Sequence, residues 1–187
     1  MIDFGNAGKW TKRLLEEAIK EGSVVVDATM GNGHDTKYLA ELIGKSGHVY
    51  AFDIQPQALV NTRKRLEDAG LLDRTTLILD SHEKMGEHVP VNPDVIVFNL
   101  GWLPGAEHVC TTRCETTLLA VNAALALLKR GGLLTICVYP GHPEGLKELD
   151  MLMKWAKELD DKEYDAFSQG YENIRLMPPR LIAVTKK

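Results

Sequence analysis

Two aspartates, each at the end of an apolar run, are the residues best placed to do chemistry. The run Val24–Val26 ends at Asp27 and is followed by Gly31 and Gly33, and a second apolar run ends at Asp53. A carboxylate that follows a buried strand can accept hydrogen bonds from a ligand, and glycines let the backbone turn sharply and approach that ligand. The pattern predicts a site for a cofactor of the nucleotide type.

The spacing of the glycines decides between two classes of cofactor. An acid after the second strand is shared by dinucleotide enzymes and S-adenosylmethionine (SAM) methyltransferases. Thr36 stands where the third glycine of a dinucleotide fingerprint would pack the helix against the strand. The spacing Asp27-x-x-x-Gly31-x-Gly33 instead resembles methyltransferase motif I. We predict that Asp27 organises the loop around the amino-acid end of SAM and that Asp53 accepts from two ribose hydroxyls, although two glycines also occur in purely structural turns.

A doubly wound α/β fold is expected to position these residues. Apolar strands alternate with helical patterns, which is typical of a parallel sheet covered by helices. Pro178 and Pro179 precede the last strand and indicate a terminal antiparallel hairpin, which distinguishes methyltransferase sheets from dinucleotide-binding ones. We predict a single domain, residues 1–187, with a Rossmann-like class I methyltransferase fold: a seven-stranded, mostly parallel sheet with an antiparallel C-terminal hairpin and helices on both faces.

The predicted elements follow from apolar periodicity and from turn residues. The strands are Val24–Ala28, His48–Asp53, Thr75–Leu79, Val95–Asn99, Leu133–Tyr139, Glu163–Ser168 and Leu181–Thr185. The helices include Thr11–Lys20, His34–Ile43, Pro56–Gly70, Thr116–Arg130 and one beginning near Pro143.

The loops at the carboxyl ends of the parallel strands are the predicted ligand site. After the third strand, Ser81 or His82 could meet the adenine edge, while Ser81 suits a helix cap equally well. After the fourth strand, Asn99 stands where many amine-directed methyltransferases carry Asn or Asp. Its carbonyl can align an N–H so that the nitrogen lone pair faces a methyl group.

The composition is that of an ordinary globular enzyme, with 44% hydrophobic and 26% charged residues among 187. No apolar run approaches membrane-spanning length, and the first ten residues lack the pattern of a signal peptide. The cysteines Cys110, Cys114 and Cys137 are expected to be reduced thiols in a cytoplasmic protein. His108 lies close to two of them, but no fourth zinc ligand is near, so we predict no metal site.

Four segments of the chain together form a recognisable set: Asp27–Thr36, Asn99–Gly105, Thr111–Arg113 and Tyr139–His142. They resemble the YtqB/MnmM family of class I SAM methyltransferases. The resemblance is specific from Val24 to about Gly145 and looser at both ends, where the family's histidine ahead of the first helix and its Asn-Asn-Pro-Pro run are absent. Those departures concern substrate contacts more than SAM binding.

The resemblance implies methylation of the wobble 5-aminomethyl-2-thiouridine of tRNA to 5-methylaminomethyl-2-thiouridine by direct in-line transfer. An alkyl amine with a pKa of about 10 is largely protonated near neutral pH, so the site must favour the neutral form or accept a proton. Asn99 would orient the amine, and Tyr139 or His142 could accept a hydrogen bond or relay the proton. His142 has the alternative role of a first-turn helix residue. Trp102 could lie against the acceptor or a base, or be a buried lid residue.

SAM is therefore the predicted cofactor, held by the loops after the first four strands. The residues expected to bind it are Asp27, Gly31, Asn32, Gly33, His34, Asp35, Asp53, Gln55, Ser81, His82 and Asn99. The predicted catalytic residues are Asn99, Tyr139 and His142, and the predicted substrate-binding residues are Trp102 and Arg113.

The net charge of −4 argues against a protein that coats nucleic acid nonspecifically, but a local basic surface suffices for tRNA. An anticodon loop is single-stranded, so its wobble base can enter a pocket without melting a duplex. Arg113, beside the acceptor loop, is the basic residue we expect there, and a homodimer could supply more surface. Other candidates are Lys9, Lys12, Arg13, Lys129, Arg130 and Arg180.

Two other interpretations remain open at this stage. One is a SAM methyltransferase that acts on rRNA or a small molecule and differs only in its pocket. The other is a nicotinamide-dependent oxidoreductase, or a noncatalytic nucleotide-binding module, built on the same sheet.

Overall fold

A computed structural model describes residues 5–101, 114–173 and 177–187. Seven strands form one sheet in the order β3-β2-β1-β4-β5-β7-β6. The strands are β1 (Val24–Asp27), β2 (His48–Asp53), β3 (Thr75–Leu79), β4 (Val95–Leu100), β5 (Leu133–Val138), β6 (Tyr164–Gln169) and β7 (Arg180–Lys186).

The topology of the sheet confirms the predicted fold class. Strands β1 to β5 pair in parallel, whereas β7 lies between β5 and β6 and is antiparallel to both. The chain order reverses between β1 and β4, so the loops leaving these neighbouring strands run to opposite sides and open a crevice at their carboxyl ends. Each predicted strand ends within about one residue of the observed strand, because long apolar runs bounded by turn residues are the clearest signal in a sequence.

The helices cover both faces of the sheet. They are α1 (Ala7–Ala18), α2 (His34–Leu42), α3 (Pro56–Ala69), α4 (Met85–His88), α5 (Cys114–Leu127) and α6 (Pro143–Glu158). Along β4, Val95 and Val97 pack in the core beneath α1, α2 and α3, whereas Ile96 and Phe98 pack in the core beneath α4, α5 and α6. This alternation, with every one of these side chains buried, is what a central strand with two covered faces requires.

Some helix ends differ from the prediction. Helix α1 begins at Ala7 rather than Thr11, because the Asn6 side chain accepts a hydrogen bond from the Lys9 N–H at 2.9 Å and caps the helix earlier. Helix α5 ends at Leu127, three residues before the predicted end. Within the described residues, no helix is long and apolar enough to cross a membrane.

Candidate active site

Asp27 ends β1 and holds the loop that follows it. Its side chain is buried, with 1% of its surface exposed. One carboxylate oxygen accepts from the Thr29 N–H at 3.1 Å, and the other accepts from the Thr36 hydroxyl at 2.6 Å. Burial raises the pKa of Asp27 to about 7, while the bond from Thr36 opposes that shift. Asp27 thus organises the β1–α2 loop, as the sequence predicts.

Asp53 ends β2 and joins this loop from the neighbouring strand. Its two oxygens accept from the Gly31 N–H at 3.0 Å and from the Gln55 N–H at 2.9 Å. A carboxylate oxygen has a second lone pair, so each can still accept from a ligand hydroxyl. Ile54, immediately after it, is 56% exposed and offers an apolar surface beside the carboxylate. Ile54 is not among the residues predicted from the sequence, because an apolar residue directly after the acid that ends a strand forms no distinctive pattern.

The two glycines of the loop serve different purposes. Gly31 and Gly33 have φ of 51° and 75°, in the left-handed region that favours glycine. A Cβ on Gly33 would lie 2.9 Å from the Cα of Thr62 on α3. The Thr62 hydroxyl also donates to the Gly31 carbonyl at 3.1 Å. Close packing of α3 therefore requires Gly33, a constraint in addition to the predicted approach of a ligand to both glycines.

Asn32 and His34, both predicted to bind the cofactor, hold the loop against α3. The Asn61 side-chain amide donates to Oδ1 of Asn32 at 2.8 Å, and Arg65 lies 3.0 Å from Nε2 of His34. Asn61 and Arg65 also line a charged groove of about 590 Å³ between α2 and α3, together with Lys37, Glu41, Lys64, Asp68 and Ala69. The lining of this groove includes neither Asp27 nor Asp53, so the groove is distinct from the site that the sequence predicts at the strand ends.

Asn99, near the end of β4, is held by hydrogen bonds from both its backbone and its side chain. Its N–H donates to the Thr29 hydroxyl at 2.7 Å, and its side-chain Nδ2 donates to Asp35 Oδ2 at 2.5 Å. Among residues 5–101, 114–173 and 177–187, no donor is recorded for its Oδ1. The carbonyl is therefore available to accept an N–H at the crevice.

Tyr139 follows β5, whose residue Cys137 is the register partner of Asn99. The Tyr139 hydroxyl and the Cys137 thiol are close enough for each group to affect the pKa of the other. Burial raises the pKa of Cys137 to about 11 and, with the neighbouring Cys137 and Asp35, raises the pKa of Tyr139 above its usual range. Both groups are neutral near neutral pH, and a neutral phenol can donate or accept a hydrogen bond.

His142 is the N-cap of α6, where its Nδ1 accepts from the Gly145 N–H at 3.1 Å. The structure thus supports the alternative of a helix-start residue. A neutral imidazole has one acceptor nitrogen, and the cap uses it. If His142 took a proton at that nitrogen, the cap bond would be lost.

The loop after β3 places its two predicted adenine contacts differently. His82 Nδ1 lies 3.1 Å from the Ala28 carbonyl, and its ring lies 5.4 Å from that of Phe98. Burial lowers the pKa of His82, so its imidazole is neutral near neutral pH. Ser81 occupies an N-cap position, but its side chain makes no capping hydrogen bond. The helix-cap alternative is therefore wrong for its hydroxyl.

The two predicted substrate-binding residues cannot be placed from the described part of the chain. Trp102 and Arg113, the two predicted substrate contacts, lie outside the described residues, as do His108 and Cys110. Cys114 is a free thiol at the start of α5.

Comparisons with known proteins agree with this geometry. The model of the family described as "Putative rRNA methylase" matches residues 49–185. The chloroplastic tRNA (mnm(5)s(2)U34)-methyltransferase of Arabidopsis thaliana is 42% identical over 147 residues, which cover 73% of this chain and 54% of that protein. The chain therefore spans about half the length of that relative.

Two solved structures are similar to the whole chain. A protein from Clostridium thermocellum described as a "putative rRNA-methylase" is 38% identical and has a TM-score of 0.96, with 100% of both chains covered. A protein from Streptococcus mutans described as a "putative methyltransferase", in complex with S-adenosylhomocysteine (SAH), is 36% identical and has a TM-score of 0.90, also over 100% of both chains. The fold is that of the class I SAM methyltransferases.

Proposed function

The chain belongs to the family described as "Putative rRNA methylase", to which the YtqB/MnmM resemblance also points, and from this membership we propose an activity. We propose that it is a SAM-dependent N-methyltransferase that converts the wobble 5-aminomethyl-2-thiouridine of tRNA to 5-methylaminomethyl-2-thiouridine. The relative from Arabidopsis thaliana, whose name specifies a modified uridine at position 34, supports this substrate.

The chemistry of the crevice fits SAM. Asp53 retains lone pairs for the ribose hydroxyls, and Ile54 offers an apolar face to the adenine. Asp27 holds the loop below the amino-acid end. When bound, SAM supplies an electrophilic methyl group on a positively charged sulfur. The neighbour from Streptococcus mutans with SAH bound supports the same assignment.

The placement of Asn99 is the observation that carries the proposal. Its Nδ2 is held by Asp35, which points the amide carbonyl the other way. A carbonyl oxygen accepts a hydrogen bond and cannot donate one, so it favours a substrate group that carries an N–H. An amine bound there presents its lone pair in a fixed direction, and positioning of this kind can lower the barrier of a reaction by about 7 to 11 kcal/mol.

A surface beside the crevice suits a single-stranded anticodon loop. In α1, Ala7 packs against Cys137 of β5. One helical turn later, the Trp10 ring lies 5.8 Å from Phe167 of β6, and the Arg13 guanidinium lies 5.5 Å from Trp10. Phe167 is 48% exposed. We call Trp10, Arg13 and Phe167 the aromatic patch, and we propose that loop bases stack on it, because stacking and cation–π contacts tolerate any sequence.

The test uses tRNA from cells that lack this gene. The protein is incubated with SAM and this tRNA, the tRNA is digested, and aminomethyl-thiouridine is followed by mass spectrometry. We expect conversion to the methylaminomethyl form, and we expect Asn99→Ala to lower the rate by about 100-fold or more. Asn92→Ala is the control, because Asn92 precedes the opposite end of β4 and bonds the Leu127 carbonyl.

Three other outcomes would contradict the proposal. Measured SAM binding without conversion would exclude this tRNA substrate and favour rRNA or a small molecule. Equal activity of Asn99→Ala would remove Asn99 from the mechanism. A thermal shift with NAD and none with SAM would exclude a methyltransferase altogether.

A further inference from the structure

The proposed reaction requires a group that can take a proton from the acceptor amine, and neither Asp27 nor Asp53 lies where it could meet an amine held by Asn99. Asp27 is buried and receives hydrogen bonds on both oxygens. Asp53 receives a backbone N–H on each oxygen and lies at the end of β2, one strand further from Asn99 than Asp27 is. Neither is free to meet an amine that also contacts Asn99.

The two residues after β5 are also unsuited to receive a proton. The acceptor nitrogen of His142 is used in the cap of α6. Tyr139 is held in its neutral form, and a neutral phenol gains a proton only in strong acid.

Asp35 differs from all four. It lies in the first turn of α2, is exposed, and bonds the Asn99 side chain directly. The Asp35 carboxylate is also close enough to Tyr139 and Cys137, across the crevice, to raise the pKa of both groups. Among the described residues, no donor is recorded for its second oxygen, Oδ1. An anion with a free oxygen therefore lies next to the free carbonyl of Asn99.

We propose that Asp35 receives the acceptor's ammonium group and takes its proton, rather than binding the cofactor as the sequence suggested. This inference rests on the proposed function. The ammonium R–NH₃⁺ gives one proton to the Asp35 carboxylate, which leaves R–NH₂ and a carboxylic acid. Asn99 Oδ1 accepts one remaining N–H. The nitrogen lone pair then forms the bond to the methyl carbon while the carbon–sulfur bond breaks. The two electrons of the carbon–sulfur bond stay on sulfur. The products are a secondary ammonium and SAH, and Asp35 then releases its proton to water, which restores the carboxylate.

The same arrangement explains selection for amines. An ammonium group is attracted to a carboxylate, whereas a hydroxyl of the ribose or a ring nitrogen of a base carries no positive charge. Asp35 and Asn99 together thus favour a substrate group that is positively charged when it binds and that carries several N–H protons.

The test compares Asp35→Asn, which keeps the shape and removes the charge, with the wild type in single-turnover methylation of the same tRNA. At pH 7 we expect the rate to fall by about 10² to 10⁴. Between about pH 7 and 9 the variant's rate should rise by about tenfold per pH unit, since only amine that is already neutral can react, whereas the wild-type rate should rise less steeply. Calorimetry should give a Kd for SAM within about threefold of the wild-type value.

Matched variants separate a proton acceptor from a structural residue. Glu41→Gln removes a carboxylate from the last turns of the same helix and should leave rate and pH profile unchanged. Asp35→Ala should regain activity with added formate, which a structural defect would not. If Asp35→Asn unfolds, the formate response of Asp35→Ala and the pH profile of Asp35→Glu decide the question.

Two results would overturn the inference alone. One is an active wild type with an equally active Asp35→Asn variant. The other is a loss of SAM affinity that matches the loss of rate, which would return Asp35 to the cofactor. A wild type with no activity on this tRNA would overturn the proposed function, and this inference with it.

Discussion

Asp27 lies under the β1–α2 loop, where protein replaces water on every side, and its pKa of about 7 is a consequence of that position. The pKa exceeds the usual 3.8, so the carboxyl favours the folded apo protein at low pH, and that contribution is lost as the pH rises through about 7. A cation bound nearby has the opposite preference and favours the ionised carboxylate.

We therefore expect SAM binding to strengthen by up to about tenfold between pH 6 and 8 and to release a proton. Calorimetry in buffers of different ionisation enthalpy measures both quantities. The amino group of SAM also titrates near pH 8, so the comparison is with Asp27→Asn, in which that contribution alone remains. An equal pH dependence in both proteins would contradict a role for Asp27 in charge balance.

His142 gives a second prediction at the scale of single residues. We expect His142→Ala to lower the free energy of unfolding by about 1 kcal/mol, because the cap of α6 is lost. His142→Asn keeps a good capping side chain and should retain both stability and methyl transfer. Urea denaturation and the methylation assay make the comparison. A stable but inactive His142→Asn would show that the imidazole takes part in catalysis after all.

At the scale of elements, the strands and the helix stops follow from local patterns, whereas the direction of loop side chains does not. Gly70 could be placed at the end of α3 from the sequence, because it needs only a left-handed backbone, φ 66°. The contacts of Asn32 and His34 with α3 could not be predicted from the sequence, since only the position of α3 brings Asn61 and Arg65 to them. The same contact explains Gly33, and no local rule encodes it.

This difference between the glycines is measurable. Gly33→Ala should lower the free energy of unfolding by about 2 to 4 kcal/mol, because strain at φ 75° adds to a clash with the backbone of Thr62. Gly70→Ala has φ 66° and open space, and should cost only about 1 to 2 kcal/mol. Chemical denaturation of both variants checks the order. Equal losses would mean that α3 does not press on the loop.

At the scale of the whole molecule, the net charge of −4 must be reconciled with tRNA as the proposed substrate, which is a polyanion. The aromatic patch offers a solution, since stacking does not depend on net charge and Arg13 supplies a local cation. If stacking on the aromatic patch provides most of the affinity, we expect few phosphate contacts and therefore only a modest weakening of binding with salt.

We expect Phe167→Ala to weaken tRNA binding by about 1 to 3 kcal/mol while leaving SAM affinity unchanged. Leu119→Ala on α5 is the control, because Leu119 is also exposed, at 61%, but belongs to the helix layer on the other face of the sheet. Binding curves at several salt concentrations measure both the loss and the slope. A loss of equal size in the control would locate the tRNA elsewhere.

The position of β7 has a consequence for how the protein is made. The strand is synthesised after β6, yet it lies between β5 and β6. Until β7 leaves the ribosome, β5 has an open edge and β6 has no strand to pair with, so the nascent sheet can hold at most its five parallel strands. Open edges are where growing chains associate with one another. Synthesis of this protein therefore passes through a stage in which a chaperone could protect β5, and that stage ends when β7 closes the edge.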